Sequence, residues 1–375
     1  MHSRINIIIK PTRACNLKCR YCYDSADGNI DETMKLETFE RTLFVASRNF
    51  NQIHFLWHGG EPLLAGYDFF FNVFNIQELY IQKFKLKVTN SIQTNCTLFT
   101  DDIVKLFLKY NVKIGVSFDG IDNEINRCEN KYFFRGYNLL RENSIKAGAI
   151  CVVTPDSIEN IVENYCFFNH NEIPVNFNYV FPMGRATSNS IILDTKIYLN
   201  GMKKLFSFWI RDVNCRIRVE PFENLIRTLI QKRGQLCNQT SCLGRWIGVE
   251  PGGDMYPCNR HFPLEYKYGN VHEMNELSEI FNSSGFELIL RKSIVRREKC
   301  IADCEYYYAC EGGCGSNSLI ENGLENNNGF SCLVFKGLFS FVSQAYTECG
   351  AFSVEEINPI ANTIKNEGQY KTLKT

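Results

Sequence analysis

The sequence predicts an α/β fold: an incomplete (β/α)6 TIM-like barrel, then a small metal-stapled lobe and a closing helix. Three observations carry that prediction. From residue 5 to about residue 181, short apolar, β-branched runs alternate with longer segments of helical period, the pattern of successive βα units around a parallel sheet. Six such runs are present rather than the eight of a closed barrel, so the barrel is expected to be open on one side. Beyond residue 236 the periodicity fails and cysteines crowd, so ligated metal is expected to shape that part more than a core does.

The elements follow in order. Strands are expected over residues 5–9, 53–57, 88–93, 112–118, 149–153 and 175–180. Between the third and fourth, Thr100 supplies an N-cap, Asp101 and Asp102 an acidic first turn, and Ile103, Leu106, Phe107 and Tyr110 one apolar face, which together specify a helix. Residues 194–212 and 222–232 read as further helices, and 333–346 as the closing one. The polar, low-complexity stretch 322–329 reads as a surface loop, and the chain from Asn362 as a polar tail. The expected organisation is a partial barrel over 1–215, a linking helix over 216–236, a cysteine-bound domain over 237–335 and a C-terminal helix with its tail over 336–375.

Composition excludes several classes. The 375 residues are 45% hydrophobic and 22% charged, enough to bury a sizeable core. Forty-one basic and 41 acidic side chains leave no net charge, so the positive field of a general nucleic-acid binder is absent. No segment approaches the roughly 18 apolar residues of a membrane span. The expectation is a soluble, cytoplasmic protein with no nucleic-acid or membrane partner.

Cysteine is the anomaly, because 17 of them without a secretory signal do not suit a disulfide framework in a reducing compartment. Cys15, Cys19 and Cys22, spaced C-x3-C-x2-C, follow the first strand, at the rim where parallel α/β folds place their sites. Three thiolates can hold three irons of a [4Fe-4S] cube and leave the fourth open to a cofactor. A structural zinc site is the other reading, although it normally closes with a fourth nearby ligand. Cys237, Cys242, Cys258, Cys300, Cys304, Cys310, Cys314 and Cys332 number eight, as two four-cysteine sites require; one or two zinc knots are the alternative. Cys96, Cys128, Cys151, Cys166, Cys215 and Cys349 lack partners of matching spacing and read as ordinary thiols.

The octapeptide from Cys15 to Cys22 resembles the signature of radical S-adenosylmethionine (SAM) enzymes. In that family the open iron chelates SAM, which an electron then cleaves to a 5′-deoxyadenosyl radical that takes hydrogen from the substrate. The resemblance places Tyr21 by the adenine. Gly59, Gly60 and Glu61, followed by Pro62, resemble the segment that holds the methionyl amino group. Gln93 and Asn95 end the third strand as rim segments that approach the cofactor do, Ser117 becomes the ribose candidate, and Arg127 matches an arginine on the cofactor's carboxylate or ribose. The family often shows Gly where Cys96 stands.

The later cysteines resemble the SPASM extension of these enzymes, with Tyr268, Gly269, Asn270 and Val271 after Cys258 and the run from Cys310 to Cys314. Its crossed connectivity implies Cys237, Cys242, Cys258 and Cys314 on one auxiliary [4Fe-4S] cluster, and Cys300, Cys304, Cys310 and Cys332 on the other. Three clusters and SAM are therefore the expected cofactors, with a reducing partner such as flavodoxin or ferredoxin.

Many enzymes with this extension modify peptides or proteins, by installing crosslinks or by oxidising a sulfatase active-site residue. The sulfatase-maturing relatives carry a proposed base, an Asp, directly after the third cysteine of the extension; here Asn259 follows Cys258, and an amide does not take a proton. Crosslinking or another oxidation of a ribosomally made peptide is therefore the first expectation. Sulfatase-type oxidation and small-molecule dehydrogenation are the alternatives. His58, Glu250, Asp254 and His261 lie in rim segments, each more often a hydrogen-bonding or surface residue than a base, and no catalytic base is assigned. Only 14 residues precede Cys15, so a leader peptide is expected to bind elsewhere on the chain or through a separate protein.

Overall fold

The structure, a computed structural model, describes residues 4–24, 32–187, 191–240, 242–260, 262–349, 358–361 and 363. Two compact units interleave along the chain. The first comprises Met1–Ser117, Arg127–Ala147 and Cys242–Arg291, and the second Phe118–Asn126, Gly148–Ser241 and Lys292–Thr375.

All six expected strands are present. In the first unit β1 (Arg4–Ile9), β2 (Gln52–Trp57), β3 (Lys87–Thr94) and β4 (Lys113–Ser117) are parallel neighbours in that order, alternating with α1 (Leu36–Ser47), α2 (Gly66–Phe84) and α3 (Asp101–Lys109), and α4 (Asn130–Glu142) follows β4. The register Ile7↔Phe55, Ile9↔Trp57 and Ile92↔Ile114 lines up apolar side chains on one face. Phe55 and Trp57 meet Phe39 of α1 at 5.4 and 5.5 Å, and Trp57 meets Phe70 of α2 edge-on at 5.4 Å. On the other alternation of β2 and β3 the side chains, Leu56 apart, are polar: His54 bonds Thr89 and Ser91, and Gln93 donates to Ser117. An α/β barrel wall requires the helix-covered face, whereas polar residues on the opposite face suit a site more than a packed interior. The N-cap on α3 forms as expected, with the Thr100 hydroxyl accepting from the Ile103 N–H.

In the second unit β5 (Gly148–Val153) and β6 (Val175–Tyr179) pair in parallel, flanked by α5 (Ile161–His170) and α6 (Thr195–Trp209). Asp119 is buried and its carboxylate accepts from the Val152 N–H at 2.9 Å. The chain continues into β7 (Val219–Glu220), parallel to β6, and α7 (Phe222–Gln231), within the stretch expected as a linking helix. The sheet is not closed.

Four strands were not expected. Besides β7 they are β8 (Trp246–Val249), β9 (Asp254–Tyr256) and β10 (Gly269–Asn270). At two to four residues they are too short for alternation to register. Of these four, β8 matters most, because it lies parallel beside β1, with Ile7↔Ile247 and Ile9↔Val249. A 20-residue helix, α8 (Ser284–Asp303), was also missed. Its buried side chains are Phe286, Ile289, Arg296 and Cys300, which keep helical spacing but put a cation and a thiol where a hydrophobic count expects hydrocarbon.

The expectation that metal rather than a core shapes this region is corrected for Cys242–Arg291. Tyr266, Tyr268, Val271, Leu277, Ile280 and Ile289 are all buried there, and Arg41 of α1 donates to the Val271 and Met274 carbonyls. The closing helix, α9 (Phe330–Cys349), is longer than expected and packs in the second unit through Phe341 on Phe206, which in turn meets Phe222 edge-on. No helix of the described residues is long and apolar enough to cross a membrane.

Candidate active site and its cysteine clusters

The loop after β1 carries the first three cysteines. Lys10, directly after the strand, is fully buried, its ammonium bonded to Asp24 at 3.2 Å and Glu250 at 2.9 Å, with Arg13 also on Asp24 at 3.5 Å. Two cations against two carboxylates make a neutral cluster that holds the loop at both ends. The Leu17 N–H donates to Cys15 Sγ at 3.4 Å and the Cys22 N–H to the Cys19 carbonyl at 3.2 Å. Desolvation pushes the Cys15 thiol up to about 11, and the negative charges of Glu61, Cys19 and Cys22 add to it. A thiol whose ionisation its neighbours oppose suits a donor set whose charge a cationic cluster relieves.

The next segment locks onto this loop. Gly59 has φ +113°, and a Cβ on Gly60 would collide with the Ala14 carbonyl, so glycine is required by close approach. The Gly60 N–H donates to the Thr12 carbonyl at 3.1 Å and the Glu61 N–H to that of Ala14 at 2.8 Å. Glu61 is buried, and its carboxylate accepts from Thr94 Oγ1 (2.7 Å), the Asn95 N–H (2.7 Å) and the Leu63 N–H (3.0 Å). Burial pushes its carboxyl up to about 7 against those three bonds. Glu61 thus ties the end of β3 to the cysteine loop, a task that sequence reasoning did not assign to it.

The other cofactor candidates come together pairwise. Gln93 Nε2 donates to Ser117 Oγ at 2.9 Å. Asn95 Nδ2 donates to Asn16 Oδ1 at 2.8 Å, and Asn16 to Thr97 Oγ1 at 2.8 Å, so Asn16, inside the cysteine motif, joins the site unannounced. The Arg127 guanidinium lies 5.1 Å from the Tyr21 ring centre, with Nη1 3.9 Å from Cys19 Sγ. Cys96 is buried with φ +71°, in the left-handed region that suits glycine, which accounts for the family's preference at that turn.

The rim residues considered as bases divide clearly. His58 is held neutral, its pKa lowered to about 4 by burial, with Lys10 and Arg260 adding to the shift, while its Nδ1 accepts from the Gly59 N–H at 2.8 Å. Asp254 is paired with Lys267 at 2.7 Å and with Asn270 at 2.7 Å between β9 and β10. Glu250 is on Lys10, and His261 lies outside the described residues. Asn259 Nδ2 donates to the Tyr23 hydroxyl at 2.7 Å, a pair that residue type alone did not announce.

Of the later cysteines, four converge in the second unit. The Cys310 thiol is pushed up to about 12 by burial and then by Cys332, Cys300 and Cys304. Cys332 is raised by burial and by Cys300 and Cys304, with Lys336 opposing. In the first unit Cys242 and Cys258 adjoin Tyr268, whose phenol burial and those two thiols push up. Cys237 and Cys314 belong to the second unit. Among the described residues no three His, Cys, Asp or Glu side chains stand close enough to share a single metal ion. A cubane takes one thiolate per iron, so its ligands stand further apart, and both the first set and the Cys300, Cys304, Cys310 and Cys332 set fit that chemistry.

Comparison with known proteins agrees with this geometry. Residues 9–168 match the radical SAM superfamily, and residues 237–311 match the SPASM iron-sulfur cluster-binding domain. The cysteine-type anaerobic sulfatase-maturating enzyme of Clostridium perfringens strain ATCC 13124 is 26% identical over 96% of this chain and 99% of its own. The serine-type enzyme of Bacteroides thetaiotaomicron is 25% identical over 83% and 82%. The solved structure of native anSMEcpe with bound AdoMet superposes with a TM-score of 0.80 at 25% identity, covering 93% of this chain and all of that one. The same protein with AdoMet and Cp18Cys peptide gives 0.79 at 25% identity, over 92% and 98%. A cysteine loop locked by two glycines, a buried glutamate joining it to β3 and these full-length likenesses make the chain a radical SAM enzyme with a C-terminal SPASM domain.

Proposed function

We propose that this enzyme oxidises a side chain of a peptide or protein substrate, in the manner of the sulfatase-maturating enzymes, taking a cysteine or serine to the aldehyde level. The likeness to those enzymes over nearly the whole of both chains carries the reading. When bound, SAM would supply the hydrogen-abstracting chemistry and the auxiliary clusters a place for the remaining electron.

The chain's own residues position that chemistry. Cys15, Cys19 and Cys22 hold the first cluster; Gly59 and Gly60 bring backbone close to the methionyl end; Gln93, Ser117, Tyr21 and Arg127 line the nucleoside and carboxylate side; Glu61 and Asn95 brace the loop between them. Cys237, Cys242, Cys258 and Cys314 hold one auxiliary cluster and Cys300, Cys304, Cys310 and Cys332 the other, making three [4Fe-4S] clusters. A small electron-transfer protein such as flavodoxin or ferredoxin supplies the electron.

Asn259 favours a second reading. It donates to Tyr23 and does not accept a proton, so the substrate radical is open to another oxidative outcome, such as a crosslink within the peptide. Anaerobic turnover of a sulfatase-type peptide with Cys, Ser or Ala at the target position separates the two. An aldehyde trapped by a hydrazine and seen by mass spectrometry for Cys or Ser, but not Ala, is the expected result. Turnover of SAM with no aldehyde from either peptide would overturn it, and loss of two hydrogens without a trappable aldehyde would favour the crosslink.

A further inference from the structure

The polar stretch 322–329 reads from its sequence as a mere surface loop, yet it is held by one face of a helix that also carries a cluster cysteine. Lys292, Arg296 and Lys299 of α8 stand four and three residues apart, on one side of the helix, with Cys300 next in line. Lys292 pairs with the Glu325 carboxylate at 3.7 Å. Arg296, buried, donates from Nη1 to the Leu324 carbonyl and from Nε to that of Gly312 at 2.9 Å. Lys299 donates to the Glu325 carbonyl at 3.2 Å and to Asn326 Oδ1 at 3.1 Å. One guanidinium thus joins this loop to the Cys310–Cys314 turn.

The loop also closes on itself. Asn322 Nδ2 donates to the Asn327 carbonyl at 2.8 Å, Asn326 Nδ2 to the Asn322 carbonyl at 2.7 Å, and Leu324 is fully buried beneath them. Asn328, at φ +69°, accepts from Lys336 of α9 at 3.3 Å. So braced, the loop directs Asn327 Nδ2 at Cys300 Sγ, 3.5 Å away. An amide donor aimed at a thiolate sulfur withdraws charge from it, and hydrogen bonds to cluster sulfurs set reduction potential.

We propose that residues 322–329 form the hydrogen-bonding cover of the cluster on Cys300, Cys304, Cys310 and Cys332, and that the Asn327 amide raises its reduction potential. This rests on the reading of those four cysteines as cluster ligands. A raised potential makes that cluster the better electron acceptor, and the braced loop keeps water from the Cys300 sulfur.

The test uses the full chain, anaerobically reconstituted, in a Cys15→Ala, Cys19→Ala, Cys22→Ala background that removes the first cluster's signal. Asn327→Leu deletes the donor at similar volume, and Asn327→Asp replaces it with a carboxylate; the bond from the Asn322 side chain to the residue-327 carbonyl survives both. Redox titration followed by electron paramagnetic resonance should show one auxiliary potential shifted negative in Asn327→Leu and further in Asn327→Asp, with the other unmoved. Equal potentials in all three proteins overturn the proposal. If Asn327→Leu loses iron, Asn327→Ser, which keeps a donor, decides: retained iron supports the cover, and loss from both overturns it. Cys310→Ala separately tests the ligand reading, since loss of about four irons supports it and no loss removes it together with the proposal.

Discussion

Asn259 directly follows Cys258, and its amide donates to the Tyr23 hydroxyl. Asn259→Asp would reverse that bond, the Tyr23 hydroxyl donating to a carboxylate able to accept the substrate's proton. Aldehyde formed per SAM cleaved, on a Cys-containing peptide, should rise by on the order of 10-fold or more if proton acceptance limits turnover. An unchanged ratio would place the acceptor elsewhere. Gly60 offers a sharper steric case, because the Ala14 carbonyl with which a Cβ would collide is backbone and cannot swing aside. Gly60→Ala should weaken SAM binding by roughly tenfold or more in calorimetry while auxiliary iron is retained. Unaltered affinity would show that the two loops need not approach closely.

At the level of elements, β7 and α7 carry a pH-sensitive carboxyl away from the clusters. Glu220 ends β7, and burial pushes its carboxyl from 4.5 up to about 7, against the Asn224 N–H at 3.1 Å and the Arg218 guanidinium. A raised carboxyl keeps its proton in the folded state after the unfolded chain has lost it. Its contribution to stability is therefore complete below about pH 4.5 and is lost as pH rises through about 7. Glu220→Gln is neutral throughout. The parent should lose stability relative to the variant across that window, by on the order of 1–3 kcal/mol, as read from denaturant midpoints. A constant difference between the two proteins would mean that Glu220 is ionised throughout.

For the whole molecule, the donor sets predict iron content. Anaerobic reconstitution should load about twelve irons, and the Cys15→Ala, Cys19→Ala, Cys22→Ala variant should retain about eight and form no 5′-deoxyadenosine. Retention of all the iron, or undiminished cleavage, would show that other residues hold the first cluster. The buried residues of Cys242–Arg291, Val271, Leu277 and Ile280 among them, further imply that this segment keeps its fold when a nearby cluster is lost, since an apolar core supports it.

Strand positions, the helix opened by Thr100 and the grouping of cysteines were readable because each is written in neighbouring residues: alternation, a cap, a spacing. The polar pairs Gln93 with Ser117 and Tyr21 with Arg127 were readable as candidates, though not as partners. Three features depended on residues far apart in the chain. β8 joins β1 through backbone bonds that any residue type supplies, so no motif marks it. Glu61 turns its carboxylate inward to Thr94 and Asn95, because burial leaves it no water to bind. In α8, Arg296 and Cys300 occupy buried positions that hydrophobicity does not reveal, since backbone carbonyls from two distant loops satisfy the guanidinium. Local propensity is written one residue at a time, whereas the partner that makes a buried polar group tolerable is supplied only when the chain folds.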